Sequence, residues 1–263
     1  KKKGLVATNK PRDRKERMQA LRDNNQEKFI GAYVKEPIVG KYDWIYDLDL
    51  TSLYPSIIMT LNISPETKVG KIQNWDAEEN IRGAEKTYKL VGKDGDTYEY
   101  GTQELKEVIK DSNLGVAANG VLYTQDKPGL IADILNDWFQ KRVEFRKLEK
   151  KYGEAKDTEK YEFYAKRQLV QKILLNSMYG VLGLPAFRFY DVDNAEAVTT
   201  TGQTVIKNSA NMGNIKYNKE LGTTDIDSNI YIDTDSVFFS AVPLLDFRHP
   251  NWKAMPDSEV AVL

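Results

Sequence analysis

Asp49, Asp233 and Asp235 are the side chains whose setting most invites chemistry. Asp49 closes the stretch Trp44-Ile45-Tyr46-Asp47-Leu48-Asp49-Leu50, where apolar and acidic residues alternate as in a strand. Asp233 and Asp235 stand in Asp233-Thr234-Asp235-Ser236, a turn between two short apolar runs at 229–232 and 237–239. Carboxylates from different strands can converge on a hard cation such as magnesium, which takes oxygen ligands and retains waters and phosphate oxygens. Two such ions about 3.5–4 Å apart suit in-line phosphoryl transfer, one lowering the pKa of an attacking hydroxyl and the other stabilising the leaving pyrophosphate. That chemistry runs on position and charge without a histidine base, and the chain has a single histidine, His249. Taken alone, either acidic segment reads more readily as a solvated turn, because Asp and Ser are common turn residues. Asp47 lies two residues before Asp49 and so shares its strand face; a further ligand and an ion-pair partner are both open for it.

Four cations and amides form a second constellation. Arg142 and Arg146 are four apart, as are Lys172 and Asn176, so each pair shares a helix face, with Tyr179 about one turn beyond Asn176. Arg and Lys neutralise phosphate oxygens, and a neutral amide can donate to one. These helices carry charge of both signs, and Lys141, Lys147, Lys150 and Lys151 read as a solvated face. Ile173, Leu174 and Leu175 beside Lys172 instead indicate a packed stretch of helix.

The elements that must position these residues follow from periodicity. The segment 29–34 reads as extended and ends at Pro37, and 44–50 reads as a strand. Pro55 suits the first turn of a helix over 55–62. Alternation over 69–101 with a turn at Lys93-Asp94-Gly95-Asp96 predicts a hairpin. From Gly129 the apolar period becomes helical, and two helices, to about 152 and over 158–179, form an antiparallel pair. A third helix fits 194–212, followed by the strands flanking the second acidic turn. Residues 1–28 read as loosely structured or helical and polar.

Composition bounds the rest. With 263 residues, 41% hydrophobic and 29% charged, the chain can bury a core of one or two domains. It has no cysteine, which excludes disulfides, thiolate zinc sites and a cysteine nucleophile. No apolar run approaches the roughly 20 residues of a membrane span, and the lysine-rich start lacks the apolar stretch of a signal peptide. The net charge of −1 hides a gradient: ten Lys/Arg against four Asp/Glu over 1–28, and three against eight over 219–263. A basic end can meet phosphates while an acidic end collects cations, although charge alone reads more readily as two solvated surfaces.

In this order the segments resemble family B DNA polymerases, the replicative enzymes of T-even-type bacteriophages above all. The motifs are DLTSLYPSII at 49–58, KILLNSMYG at 172–180 and YIDTDS at 231–236. NGVLYTQDKPG followed by WFQKRVEFRK is similar to the family's first fingers helix, FIGAYVKEP to its template-contacting segment before the palm, and FRFYDVDNAEAVTTTGQ to the phage enzymes. The likeness spans most of 29–240, and three motifs in order with a helical pair between the first two are highly specific.

The resemblance implies an α/β (α+β) fold: an antiparallel palm sheet with packed helices and a protruding helical-hairpin fingers subdomain. The implied domains are a basic segment 1–28, a first palm part 29–128 with an inserted hairpin, fingers 129–180 and a second palm part 181–263. Asp49 and Asp233 would hold two Mg2+ ions, with Mn2+ an alternative; the Leu50 carbonyl would complete one sphere, and Asp235 would be an auxiliary carboxylate. Amides of Ser52, Leu53 and Tyr54 would cradle the triphosphate, and Tyr54 would stack under the sugar and exclude a 2′-hydroxyl. Arg142, Arg146 and Lys172 would bind phosphates, Asn176 would support them, and Tyr179 with Gly180 would floor the nascent base pair. Three positions depart from the pattern: Arg146 where lysine is frequent, Ile232 where glycine is usual, and Phe29 where tyrosine is usual.

The implied activity is template-directed DNA synthesis, with primer–template DNA and dNTPs as partners, in the cytoplasm of an infected bacterial host and away from membranes. From length the expectation is a palm left incomplete, without thumb, exonuclease or clamp-binding tail. The chain would then be a fragment or one subunit of a split polymerase, with a second chain carrying the thumb or exonuclease. Two other readings stand beside it. One is a fragment that binds nucleotide or DNA without turnover; the other is a metal-dependent nuclease on the same carboxylates, which leaves Tyr54, Lys172, Asn176 and Tyr179 without a purpose.

Overall fold

The structure, a computed structural model, describes residues 30–184 and 187–263. In chain order its elements are β1 (Val34–Lys35), β2 (Ile45–Asp49), α1 (Leu53–Leu61), β3 (Lys68–Gln73), α2 (Ala77–Ile81), β4 (Thr87–Gly92) and β5 (Thr97–Gly101). There follow α3 (Thr102–Asp111), β6 (Leu114–Val116), β7 (Val121–Thr124), α4 (Leu130–Glu154), α5 (Thr158–Leu182) and α6 (Val192–Leu221). The chain closes with β8 (Asn229–Asp233), β9 (Ser236–Ser240), α7 (Val242–Arg248), a 3-10 turn (Trp252–Ala254) and α8 (Asp257–Val260). This is an α+β fold, as expected. It divides into two compact units, one of residues 32–51 and 202–263, the other of residues 52–201 with Ile30 and Gly31.

The first unit is a four-stranded antiparallel sheet in the order β1-β8-β9-β2. One face is apolar because the strands alternate: Ile232, Val237 and Phe239 pack on Ile206, Ala210 and Tyr217 of α6, with Tyr46 and Leu50 at the margin. The rings of Tyr46, Phe239 and Tyr217 form a three-membered cluster, Phe239 lying 5.6 Å from each tyrosine and the two tyrosines 6.3 Å apart. Gly213 makes this possible, since a Cβ there would lie 2.2 Å from the Phe239 ring. Tyr217 also donates its hydroxyl to the Ser240 carbonyl at 3.0 Å, pinning helix to strand. A satellite core of Leu245, Trp252 and Val260 gathers around Trp44.

The second unit holds a five-stranded antiparallel sheet in the order β5-β4-β3-β7-β6, with Leu105 of α3 packed on Ile72, Tyr88 and Leu122. The expected turn at 93–96 joins β4 to β5, with Gly95 at φ +90°. The sheet is larger than the expected hairpin, because β3 also pairs with β7 across residues far apart in sequence, which local alternation does not report, and β7 in turn pairs with β6. Helices α4 and α5 form the expected antiparallel pair, and α1 packs against both. Their bounds run two and three residues beyond the expected ends, and α6 runs nine beyond.

Segment 1–28 and Phe29 lie outside the described residues. Helix α1 begins at Leu53, two residues before the expected start, which leaves Pro55 as its third residue, still in the turn where a missing N–H costs nothing. Around Lys172 the expectation of a packed stretch is corrected. Leu175 is fully buried, but Ile173 is 56% exposed and Lys172 is exposed. An apolar run in a helix spreads over the whole circumference, and only its inward member reaches the core.

Candidate active site

In the first unit the register of the sheet sets the carboxylates. Asp49 pairs with Ser236, and Asp233 pairs with Ser236 from the other side. Direct cross-strand partners project to the same face, so Asp49 and Asp233 flank Ser236 with their Cα atoms about two strand spacings, roughly 10 Å, apart. Asp47 and Phe238 are partners on that same face, as are Tyr231 and Phe238. The face is the one opposite the α6 core, so its carboxylates reach solvent: Asp47, Asp49 and Asp233 are all exposed.

The turn between β8 and β9 is tight. Thr234 sits at φ 54°, a left-handed backbone uncommon for a β-branched residue, and the Asp235 amide donates to the Asp233 carbonyl at 2.6 Å. Strained backbone of this kind concentrates where a site must be held. The Leu50 amide donates to the Asp235 carbonyl at 2.8 Å, clamping the end of β2 to the turn. The Asp235 carboxyl is held above its usual range, first by burial and then by the negative charge of Asp49, with Asp233 and Asp47 adding to it. Acidic charge crowded at one sheet edge is what a divalent cation relieves, and an all-oxygen donor set suits magnesium. Among the described residues no group of three or more acidic or histidine side chains is gathered tightly enough to hold an ion by itself. Asp49 and Asp233, both exposed on that face, are the carboxylates the register brings nearest to one another.

In the second unit, residues from three helices meet. Ser52 caps α1 at φ 56°, a second strained non-glycine position. Arg142 of α4 donates from Nη1 to Ser52 Oγ at 2.8 Å, so the first arginine comes to the start of α1. The amides of a first helical turn have no acceptor inside the helix, and the dipole makes that end positive. A cation beside it reinforces an anion-binding end. Leu53 is buried and anchors the turn. The rings of Tyr54 and Tyr179 approach to 4.6 Å between centroids at a tilt of 50°, joining α1 to the end of α5. Burial raises the Tyr179 phenol. Lys172, Asn176 and Gly180 lie on the exposed side of α5 and Arg146 on the exposed side of α4. No protein atom lies within 4 Å of a Cβ built on Gly180, so packing within the protein does not demand glycine there.

Two sets of positioning residues escaped the sequence reading. Asn62, in a left-handed cap at the end of α1 and 5% exposed, donates to the Thr124 and Lys127 carbonyls at 2.7 and 2.8 Å. It also accepts from the Gly129 amide at 2.7 Å, tying α1 to the start of α4. Gly129 itself must be glycine, since a Cβ would lie 2.7 Å from Ser64. The second set is Lys68 and Lys71 on β3, which bond Asp191 and Asp193 at the start of α6 over 2.7–3.1 Å. An Asn as the last residue of the expected helix 55–62 was the only sequence signal for the first; the second joins residues more than 120 apart and had none.

A sequence profile of the family described as DNA polymerase family B matches residues 1–244. The chain is 28% identical to the DNA-directed DNA polymerase of Escherichia phage RB69, over 83% of this chain and 27% of that protein. It is 30% identical to the DNA-directed DNA polymerase of Enterobacteria phage T4, over 81% of this chain and 27% of that protein. It is also 30% identical to DNA polymerase 1 of Pyrococcus abyssi, over 89% of this chain and 23% of that protein. The chain thus spans about a quarter of the length of these relatives. With the profile covering nearly the whole chain and three polymerase relatives each matching more than four-fifths of it, this chain belongs to DNA polymerase family B.

Proposed function

We propose that this chain carries the nucleotidyl-transfer site of a DNA-directed DNA polymerase, adding a dNTP to a primer 3′-OH along a template. The observation that carries this reading is the pairing of both Asp49 and Asp233 with Ser236, which brings two exposed carboxylates to one edge of one sheet face. In this reading Asp49 and Asp233 hold the metal pair with the Leu50 carbonyl, and Asp235 stands by as an auxiliary carboxylate. Two divalent ions bound there supply a lowered pKa to the attacking hydroxyl and charge stabilisation to the leaving pyrophosphate. The protein's own share is positioning and charge. The amides of Ser52, Leu53 and Tyr54 take phosphate oxygens, with Arg142, Arg146 and Lys172 neutralising them and Asn176 donating one further bond. Tyr54 lies under the sugar, excluding a 2′-hydroxyl, and Tyr179 with Gly180 forms the floor of the nascent pair. The open space around Gly180 supports that role, because its lack of a side chain then serves a substrate.

The reading extends to primer–template DNA and dNTPs as partners and, given the two phage relatives, to action within an infected bacterial cell. It also includes a thumb-bearing second chain. The division into palm parts and fingers at 129–180 belongs to the same proposal. Among the described residues no helix is long and apolar enough to cross a membrane.

The test is primer extension with Mg2+, run on the chain alone and with a thumb-bearing polypeptide supplied in trans. Extension in either arm that disappears with Asp49→Ala is the expected result. Undiminished extension by Asp49→Ala would sink the assignment. Magnesium-dependent dNTP binding without extension in both arms would leave a nucleotide-binding fragment instead, and DNA degradation abolished by Asp233→Ala would turn the reading to a nuclease.

A further inference from the structure

The tip of the α4–α5 hairpin carries chemistry that nucleotidyl transfer does not use. Five rings collect there: Phe145 and Tyr152 from α4, and Tyr161, Phe163 and Tyr164 from α5. Three of them close the tip's own core. Tyr152 and Tyr164 stack at 5.5 Å and 4°, and Phe145 meets Tyr164 at 6.2 Å. The other two remain open, Phe163 being 49% and Tyr161 42% exposed. Phe163 meets Tyr164 edge-on at 5.1 Å, and the rest of its ring is left in water.

The cations of the tip rest on these rings. The Arg167 guanidinium lies 4.4 Å from the Phe163 ring centroid and 5.8 Å from that of Phe145. Lys160 and Lys151 lie 5.1 and 5.7 Å from the Tyr152 ring. Among the described residues no carboxylate forms an ion pair with Arg167 or Lys151. A ring orients a cation without cancelling its charge, whereas a carboxylate would neutralise it. The hairpin from 141 to 172 carries eleven Lys/Arg against six Asp/Glu, in a chain whose net charge is −1. Phe163, Arg167 and Val170 fall at i, i+4 and i+7, so they form one exposed face of α5, Val170 being 52% exposed.

We propose that this face, centred on Phe163 and Arg167, is a contact site for single-stranded DNA. An exposed ring carrying an un-neutralised guanidinium is a combination that single strands take up, bases stacking on rings or on guanidinium planes while Arg and Lys track the phosphates. A duplex hides its base faces and has no use for the rings, and an acidic protein surface would need the cations alone. The inference rests on the reading that the chain handles primer–template DNA, because an unpaired strand then lies within its reach.

The test measures binding of a labelled oligothymidylate and of a blunt duplex to the full chain by fluorescence anisotropy in EDTA, so that metal-dependent catalysis plays no part. Loss of extension activity would thus leave this result untouched, and the two failures are separable. Phe163→Leu keeps apolar bulk but removes the π-face, and Arg167→Gln removes the charge. The double variant is expected to bind the single strand about tenfold more weakly, with duplex affinity and thermal midpoint unchanged. Equal weakening towards both DNAs would mean unspecific charge and overturn the proposal. So would unchanged single-strand affinity with a lowered midpoint, which means packing alone, or absence of single-strand binding by the unaltered chain. A wild-type dimer that the double variant dissolves, with unchanged DNA affinity, would overturn it in favour of self-association.

Discussion

The carboxylate edge of the four-stranded sheet and the helical surface around Ser52 are held by different means. At the sheet edge, backbone register does the placing: Asp49, Ser236 and Asp233 are neighbours because three strands align, and the side chains themselves are exposed and make few bonds. Around Ser52, side chains do the placing: Arg142 reaches Ser52, Tyr54 meets Tyr179, and buried Asn62 ties two helices together. Like charges crowd the end of the sheet, where Asp49, Asp233 and Asp47 raise the Asp235 carboxyl, while the helical surface is joined by side-chain bonds and ring contacts. A substitution at the edge should therefore be read in activity and one at the helical junction in stability.

The largest effect expected is Asp233→Asn. On the proposed reading it loses a metal-holding carboxylate worth several kcal/mol of transition-state stabilisation, and primer extension should fall roughly a thousandfold. The thermal midpoint of the metal-free protein should hold steady or rise, since an exposed charge is taken from a repulsive cluster. A clear drop in midpoint would break the comparison.

Asn62→Ala tests the other side. It leaves two part-buried carbonyls and one buried amide without their partner, and a loss of roughly 2 kcal/mol in denaturant unfolding is expected. Next comes Lys172→Ala, expected to raise the KM for dNTP roughly tenfold to a hundredfold, as for a charge-assisted bond to phosphate. It should leave stability alone because Lys172 is exposed.

The smallest effect is a pH dependence confined to the second unit. Burial would raise the Asp193 carboxyl, but hydrogen bonds from Lys68 and Lys71 and their charges outweigh it and hold the group below its ordinary 3.8. Its contribution to stability is present above 3.8 and lost as pH falls through the depressed value. Lys68 behaves oppositely. Burial lowers it, yet Asp193 and Asp191 raise it above 10.5, so its contribution is present below 10.5 and fades as pH climbs past the raised value. Asp193→Asn should flatten the acid limb of the thermal midpoint and shorten the alkaline one.

The strand ends at Asp49 and Asp233 were legible because apolar–acidic alternation is a local signal, and so were both long helices of the hairpin. Pro55 misplaced the start of α1 by two residues, since a proline fits any position of a first turn. The five-stranded sheet was half read, because pairing of β3 with β7 depends on residues far apart in sequence. Burial around Lys172 was misjudged because composition reports how much of a helix is apolar and not which side faces a neighbour.

The sequence by itself determined which groups are present: three acidic residues beside strands, a cationic helical pair, and no thiol or second histidine to support another chemistry. Residue type and short-range period settle such matters. Only the tertiary structure decided that Ser236 is the shared neighbour of Asp49 and Asp233, and that Arg142 comes to Ser52. It also decided that Asn62 governs the entry to α4 and that Phe163 is left in water at the hairpin tip. Each depends on register or helix rotation, where a shift of one residue turns a side chain to another face, and register is set by the packing of the whole unit.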